Sequence, residues 1–218
     1  MKKIGVVLSG CGLDDGSEIH EATLTLLFLD KAGVEILCLA PAMEQYDLID
    51  HFTGKEVKDQ KRNVLNESAR IARGEIKDLS TIKVSDIDGI IFPGGFGAAK
   101  NLCNFAVKGI DCTTNPEVER IIQAMHQDNK PMGFICNAPV LAGKVLGKFH
   151  PELTIGDDPA TAKNIEEMGG KHITCGVGEI AVDPKNKIVS TPAYMLGPTI
   201  SKIAIGIEKL VNKVVELA

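Results

Sequence analysis

The run Ile135-Cys-Asn-Ala-Pro139 sets a thiol between an apolar segment, Pro131 to Ile135, and a helix-prone one from about Val140 to Leu146. A strand that turns tightly into a helix lifts the residue at the turn above the sheet, the layout of a nucleophile elbow. A thiol there meets free N–H groups and the positive end of a helix dipole. Cys136 is therefore expected as a nucleophile with its thiolate favoured. The pattern asks for small residues two before and two after; Ala138 fits and Phe134 does not. The plainer reading is a buried cysteine that ends a core strand.

Other residues offer what a cysteine nucleophile needs. Pro93-Gly94-Gly95 follows the apolar run Asp88 to Phe92. Glycines after a strand let backbone N–H groups approach a ligand, so those of Gly95 and Asn137 are candidates for an oxyanion hole. A tight turn needing positive φ would use the same glycines. Glu18 and His20 open the first helix, with Glu21 in the same turn. Either Glu18 or His20 can serve as the acid–base group. An acidic residue at a helix N-terminus is also ordinary. His51, His126 and His172 lie in polar stretches and are expected in solvent, whereas His150 follows the elbow helix and can approach the site from a loop.

Gly10-Cys-Gly12 after the first apolar run invites a dinucleotide reading, but the third glycine falls one place late, at Gly16. Asp14 and Asp15 would repel a pyrophosphate, and no Gly-Lys-Ser/Thr sequence is present. The six cysteines contain no CxxC pair and no zinc-finger spacing with histidine. No cofactor and no metal are expected.

The elements that must position these groups follow from hydrophobic period. Ile4 to Leu8 is a continuous apolar run suited to a parallel strand covered on both faces. Residues 18–32 read as a helix with Ser17 as N-cap and Gly33 as stop; Ile19, Ala22, Thr23, Leu26, Leu27 and Leu29 form its apolar positions. Val34 to Leu39 is a second strand, parallel to the first by right-handed crossover. Residues 41–86 are more polar and read as an insertion. Strands follow at Asp88–Phe92, at Pro131–Ile135, around Ile173, at Ile180–Val182 and at Ile188–Val189. Helices are predicted over 116–127, 140–146, 159–168 and 199–217. The last carries Ile203, Ile207, Leu210, Val211 and Val214 on one face. This alternation predicts one α/β domain, a three-layer sandwich around a mainly parallel sheet. Ligands then bind beyond the carboxyl ends of the strands, where Gly10, Gly95 and Cys136 all fall.

Composition narrows the function. The chain has 218 residues, 44% hydrophobic and 24% charged, with a formal net charge of -5. An acidic chain with no basic run does not suit a nucleic-acid partner. Aromatics make up 4%, too few for a stacking platform. No apolar stretch approaches 18 residues, so no membrane span is expected. The cysteines are read as reduced thiols, which places the protein in the cytoplasm.

Phe92-Pro-Gly-Gly95 with Ala98-Ala-Lys-Asn-Leu102, and Ile135-Cys-Asn-Ala-Pro139, resemble the ThiJ/PfpI branch of the class I glutamine amidotransferase-like superfamily. Leu8-Ser-Gly-Cys-Gly12, Gly16-Ser-Glu-Ile-His-Glu21, Gly156-Asp-Asp-Pro159 and Thr191-Pro-Ala-Tyr-Met195 resemble its ElbB subgroup, named for enhanced lycopene biosynthesis. The match runs over essentially the full length. The resemblance implies a flavodoxin-like fold, a nucleophile at Cys136 and a carboxylic acid partner on the first helix. Glu18 is the choice for that partner and His20 the alternative. It also implies a homodimer and a glutathione-independent glyoxalase, taking a small reactive aldehyde such as methylglyoxal or glyoxal to lactate or glycolate. The superfamily's glutaminases carry a late His-x-Glu pair, and many ThiJ/PfpI members a histidine near Gly156-Asp157; this sequence has neither. Glutamine hydrolysis and efficient peptidase activity are therefore not expected, and turnover is expected to be slow. Two alternatives remain open: a redox or stress sensor using Cys136, and a non-catalytic binding protein linked to isoprenoid metabolism.

Overall fold

A computed structural model describes residues 1–197 and 199–218. In chain order the elements are β1 (Lys3–Val7), α1 (Ile19–Lys31), β2 (Glu35–Ala40), β3 (Ile49–Asp50), β4 (Lys55–Glu56), α2 (Val64–Ile71), β5 (Ile76–Asp78), β6 (Gly89–Phe92), α3 (Phe96–Lys100), α4 (Phe105–Lys108), α5 (Pro116–Gln127), β7 (Met132–Ile135), α6 (Pro139–Leu146), β8 (Glu152–Leu153), α7 (Pro159–Glu167), β9 (Lys171–His172), β10 (Ala181–Asp183), β11 (Ile188–Thr191) and α8 (Ile200–Leu217).

Seven strands form one sheet in the order β10-β11-β7-β6-β1-β2-β5. Every pairing is parallel except β10 with β11. The chain steps from β1 outward to β2 and β5, then returns to β6 and moves the other way to β7. The direction of winding thus reverses between β1 and β6, which opens a crevice at their carboxyl ends. This is the flavodoxin-like α/β sandwich expected of the sequence.

Alternation along the strands divides the core in two. Ile90, Phe92, Met132 and Phe134 pack on one face against α5, α6 and α7. Ile4, Val6, Ile91 and Ile135 pack on the other against α1 and α8. Phe92 and Phe134 stack with centroids 5.0 Å apart and planes inclined by 4°, directly beneath the strand ends that carry Gly94 and Cys136.

Three details differ from the sequence reading. Residues 41–86 do not stand apart as a whole: β5 pairs in parallel with β2, from Cys38↔Ile76 to Ala40↔Asp78. Only the stretch before α2, including the β3–β4 hairpin, lies off the main sheet. Glu18 rather than Ser17 caps α1, its carboxylate accepting from Glu21 N–H at 2.7 Å. Ser17 instead turns its hydroxyl to Ser9 N–H at 2.8 Å. Finally, α1 presents a rotated face: Glu21, Ala22, Thr25, Phe28 and Leu29 are buried, while Ile19 and Leu27 are exposed.

Candidate active site

β7 ends at Ile135, and α6 begins at Pro139. Between them Cys136 adopts φ 62°, a left-handed conformation rare for a side chain with a Cβ. Strain at such a position persists only where the surroundings enforce it. Here Cys136 N–H donates to Thr191 O of β11 at 2.9 Å, and Ala138 N–H to Ile135 O at 3.0 Å. Pro139 supplies the first helical residue without losing a hydrogen bond. These contacts build the elbow.

The carboxylate brought to Cys136 is Glu21. Its side chain is fully buried and close enough to Cys136 for each to shift the other's ionisation. Its two oxygens also accept from backbone N–H groups, Gly94 at 3.0 Å and Tyr194 at 3.3 Å. Glu18 sits one turn earlier as the helix cap, and its charge acts on Glu21. His20 points outward, with Nδ1 2.8 Å from the Tyr194 hydroxyl. It therefore touches the site through Tyr194 and not through Cys136. Sequence reasoning placed Glu21 in the right turn but passed over it. The signal was available in the cap: an N-cap carboxylate at position 18 leaves position 21 to face inward.

The backbone N–H groups of Gly95 and Asn137 lie close enough to Cys136 to favour its thiolate. Gly95 has φ 95°, and a Cβ there would collide with the backbone of Gly16 and Glu18. A Cβ on Gly94 would lie 2.5 Å from Cys136 Cβ and 2.6 Å from Glu21 Oε2. The Pro-Gly-Gly turn is thus bare because α1 and the elbow close on it from both sides. Gly95→Ala is expected to cost roughly 3 kcal/mol, lowering the melting temperature by about 6–12 °C. A thermal melt checks this; an unchanged Tm would refute the close approach.

The electrostatics reverse one expectation. Burial, and then the neighbouring Glu21 charge, push the Cys136 thiol well above its ordinary value, outweighing the Gly95 and Asn137 N–H groups. Burial and the Glu18 charge push Glu21 up to about 8. The resting pair therefore holds its protons at neutral pH, and the helix N-terminus does not by itself make a thiolate. Two acids in contact cannot both ionise cheaply, so the first proton lost belongs to the pair.

The other histidines lie elsewhere. His150 follows α6 in a left-handed conformation and meets Gly169 O at 2.9 Å, so it does not approach Cys136. His126 packs on Phe149 at 4.2 Å and bonds Asn186 Oδ1 at 3.0 Å, a structural role where solvent exposure was expected. His51 bonds Ile49 O at 3.0 Å and Asp14 N–H at 3.2 Å. Among the described residues no group of three or more His, Cys, Asp or Glu converges to hold a metal ion. No helix among them is long and apolar enough to cross a membrane.

A flavodoxin-like sheet in which a strand ends in a strained cysteine, met by an acid from the first helix, makes this an α/β protein of the nucleophile-elbow class. No protein-family model matches the chain. It is 47% identical over 224 residues to the human "glutamine amidotransferase-like class 1 domain-containing protein 3, mitochondrial", covering 99% of this chain and 83% of that one. It is 46% identical to the Rattus norvegicus "ES1 protein homolog, mitochondrial", covering 99% and 84%. The crystal structure of an "isoprenoid biosynthesis protein with amidotransferase-like domain" from Ehrlichia chaffeensis superposes with a TM-score of 0.91 at 34% identity, over 99% of this chain and 100% of that one. A Schizosaccharomyces pombe DJ-1 structure, at 17% identity and a TM-score of 0.60 over 99% and 96%, shares the fold alone. The chain belongs to the glutamine amidotransferase-like class 1 family.

These relatives correct the cytoplasmic expectation, since both curated ones carry mitochondrial names. Cysteine usage separates oxidising from reducing compartments and does not choose among the reducing ones.

Proposed function

We propose that the protein is a slow, glutathione-independent glyoxalase-type enzyme acting on methylglyoxal or glyoxal. The observation that carries this reading is the buried Glu21–Cys136 pair at the strained elbow. Acid–base chemistry beside a nucleophile is what an internal redox isomerisation requires. Cys136 is only 7% exposed, which favours a substrate of two or three carbons over a bulky thiol adduct.

The steps assign a task to each group. In its ionised form Glu21 takes the thiol proton as the sulfur adds to the aldehyde carbon and then returns it to the oxyanion, giving a hemithioacetal and a carboxylate free to act again. The N–H groups of Gly95 and Asn137 stabilise the developing oxyanion. Glu21 then moves the proton from C1 to C2 through an enediol, so C1 is oxidised to the thioester level while the ketone at C2 becomes an alcohol. Water cleaves the thioester, releasing lactate and restoring the thiol. The net change is methylglyoxal plus water to lactate. A thiol that starts protonated is activated by its neighbouring base and not by a lowered pKa, which fits slow turnover. The same protonated resting state counts against a peroxide sensor at Cys136.

Proton NMR of the full chain with methylglyoxal is expected to show lactate formed at a rate proportional to protein concentration. Methylglyoxal consumed only as lysine and arginine adducts would refute the proposal.

A further inference from the structure

A second thiol centre, unused by the mechanism, lies in the connection between α3 and α5. Cys103 and Cys112 bracket the connection from α3 to α5, with α4 and a 3₁₀ turn between them. The ends of this connection are tied as a narrow hairpin. Cys103 and Thr114 form an antiparallel bridge, Asn104 N–H donates to Thr113 O at 3.1 Å, and Thr113 N–H donates to Asn104 Oδ1 at 2.7 Å. Within it Cys103 Sγ donates to Ala98 O at 3.4 Å, and the two thiols lie close enough for each to shift the other's ionisation. Cys112 lines a cavity of about 450 Å³, shared with Thr113, Thr114, Glu119 and Lys144. Lys144 is anchored there by its bond to Ile110 O at 2.9 Å.

We propose that Cys103 and Cys112 form a peroxide-reactive dithiol site that closes to an intramolecular disulfide. Cys112 is the attacking thiol. The neighbouring Cys103 thiol, and then the Lys144 ammonium, hold it below the ordinary thiol range, while the Cys112 thiol and burial push Cys103 up. Low thiolate pKa with a resolving thiol in contact is the arrangement of reversible redox cysteines.

The Cys112 sulfur attacks one peroxide oxygen, the O–O bond breaks, and the hydroxide released takes the proton that Cys112 gave up. Cys112 becomes a sulfenic acid. Cys103 sulfur then attacks that sulfur, the S–O bond breaks, and hydroxide departs with the Cys103 proton as a second water. The two thiols lose two electrons and hydrogen peroxide gains them.

The test treats the full chain with hydrogen peroxide and counts thiols after denaturation. The titre is expected to fall from six of the six cysteines to four. Cleavage after Lys100, Lys108 and Arg120 then yields residues 101–108 and 109–120 joined, and parted again by a reducing agent. Cys136→Ser is expected to fall from five to three with the same joined peptides. Cys103→Ser should leave Cys112 as a sulfenic acid that dimedone traps. A titre that stays at six, a Cys112 that reaches sulfinic acid with Cys103 still free, or a bridge to a different cysteine would overturn the proposal. The wild-type peptides decide this even where a variant fails to fold.

Discussion

Cys136→Ser is expected to remove lactate formation from methylglyoxal by at least ~10³-fold, as loss of a covalent nucleophile does. Serine fits the elbow without extra volume, and its N–H still reaches Thr191 O, so thermal stability should change little. A serine hydroxyl is a much weaker nucleophile than a thiol, so the covalent adduct is expected to form far more slowly. Retention of a tenth or more of the wild-type rate would show that the sulfur is not the reacting atom.

Glu21→Gln tests the partner. Turnover is expected to fall by ~10²–10⁴-fold, the usual contribution of a positioned acid–base group. The wild-type rate should rise with pH up to about 8, as Glu21 ionises, and the variant should lose that rise. Glu18→Gln keeps an oxygen to accept from Glu21 N–H and is expected to affect the rate far less. A larger loss in the Glu18 variant would return the acid–base role to the helix cap.

The same residue leaves a thermodynamic signature. Folded, Glu21 keeps its proton up to about 8; unfolded, it releases it near 4.5. Between those values the folded state binds one proton more, so stability falls as pH rises, by ~1.4 kcal/mol per unit. Glu21→Gln should flatten that slope. Unfolding midpoints across this range measure it, and an equal slope in both proteins would show that Glu21 is ionised at neutral pH.

The sheet was largely legible because its central strands are short, continuous apolar runs bounded by Gly or Pro. β5 was not, since Ile76-Lys-Asp78 is three residues at an edge and only half-buried. α3 hid behind the glycines that begin it. The elbow and the Gly95 turn could be read from residue type and spacing. The acid partner could not, because α1 carries apolar residues nearly all round: Ile19, Leu24, Leu26, Leu27, Phe28 and Leu29. The expected apolar positions, Ile19, Ala22, Thr23, Leu26, Leu27 and Leu29, spread over more than one face, so they do not decide which of Glu18 and Glu21 turns to Cys136. Where Ser17 bonds, not the hydrophobic period, fixes the phase.

Tyr194 lends Glu21 a backbone N–H from 173 positions further along the chain. A polypeptide still emerging from the ribosome holds its thiol and its carboxylic acid long before that amide exists. Assembly of the reactive couple therefore waits for the final quarter to dock, and clipping the protein ahead of this tyrosine would leave the Glu21 carboxyl with Gly94 as its remaining backbone donor.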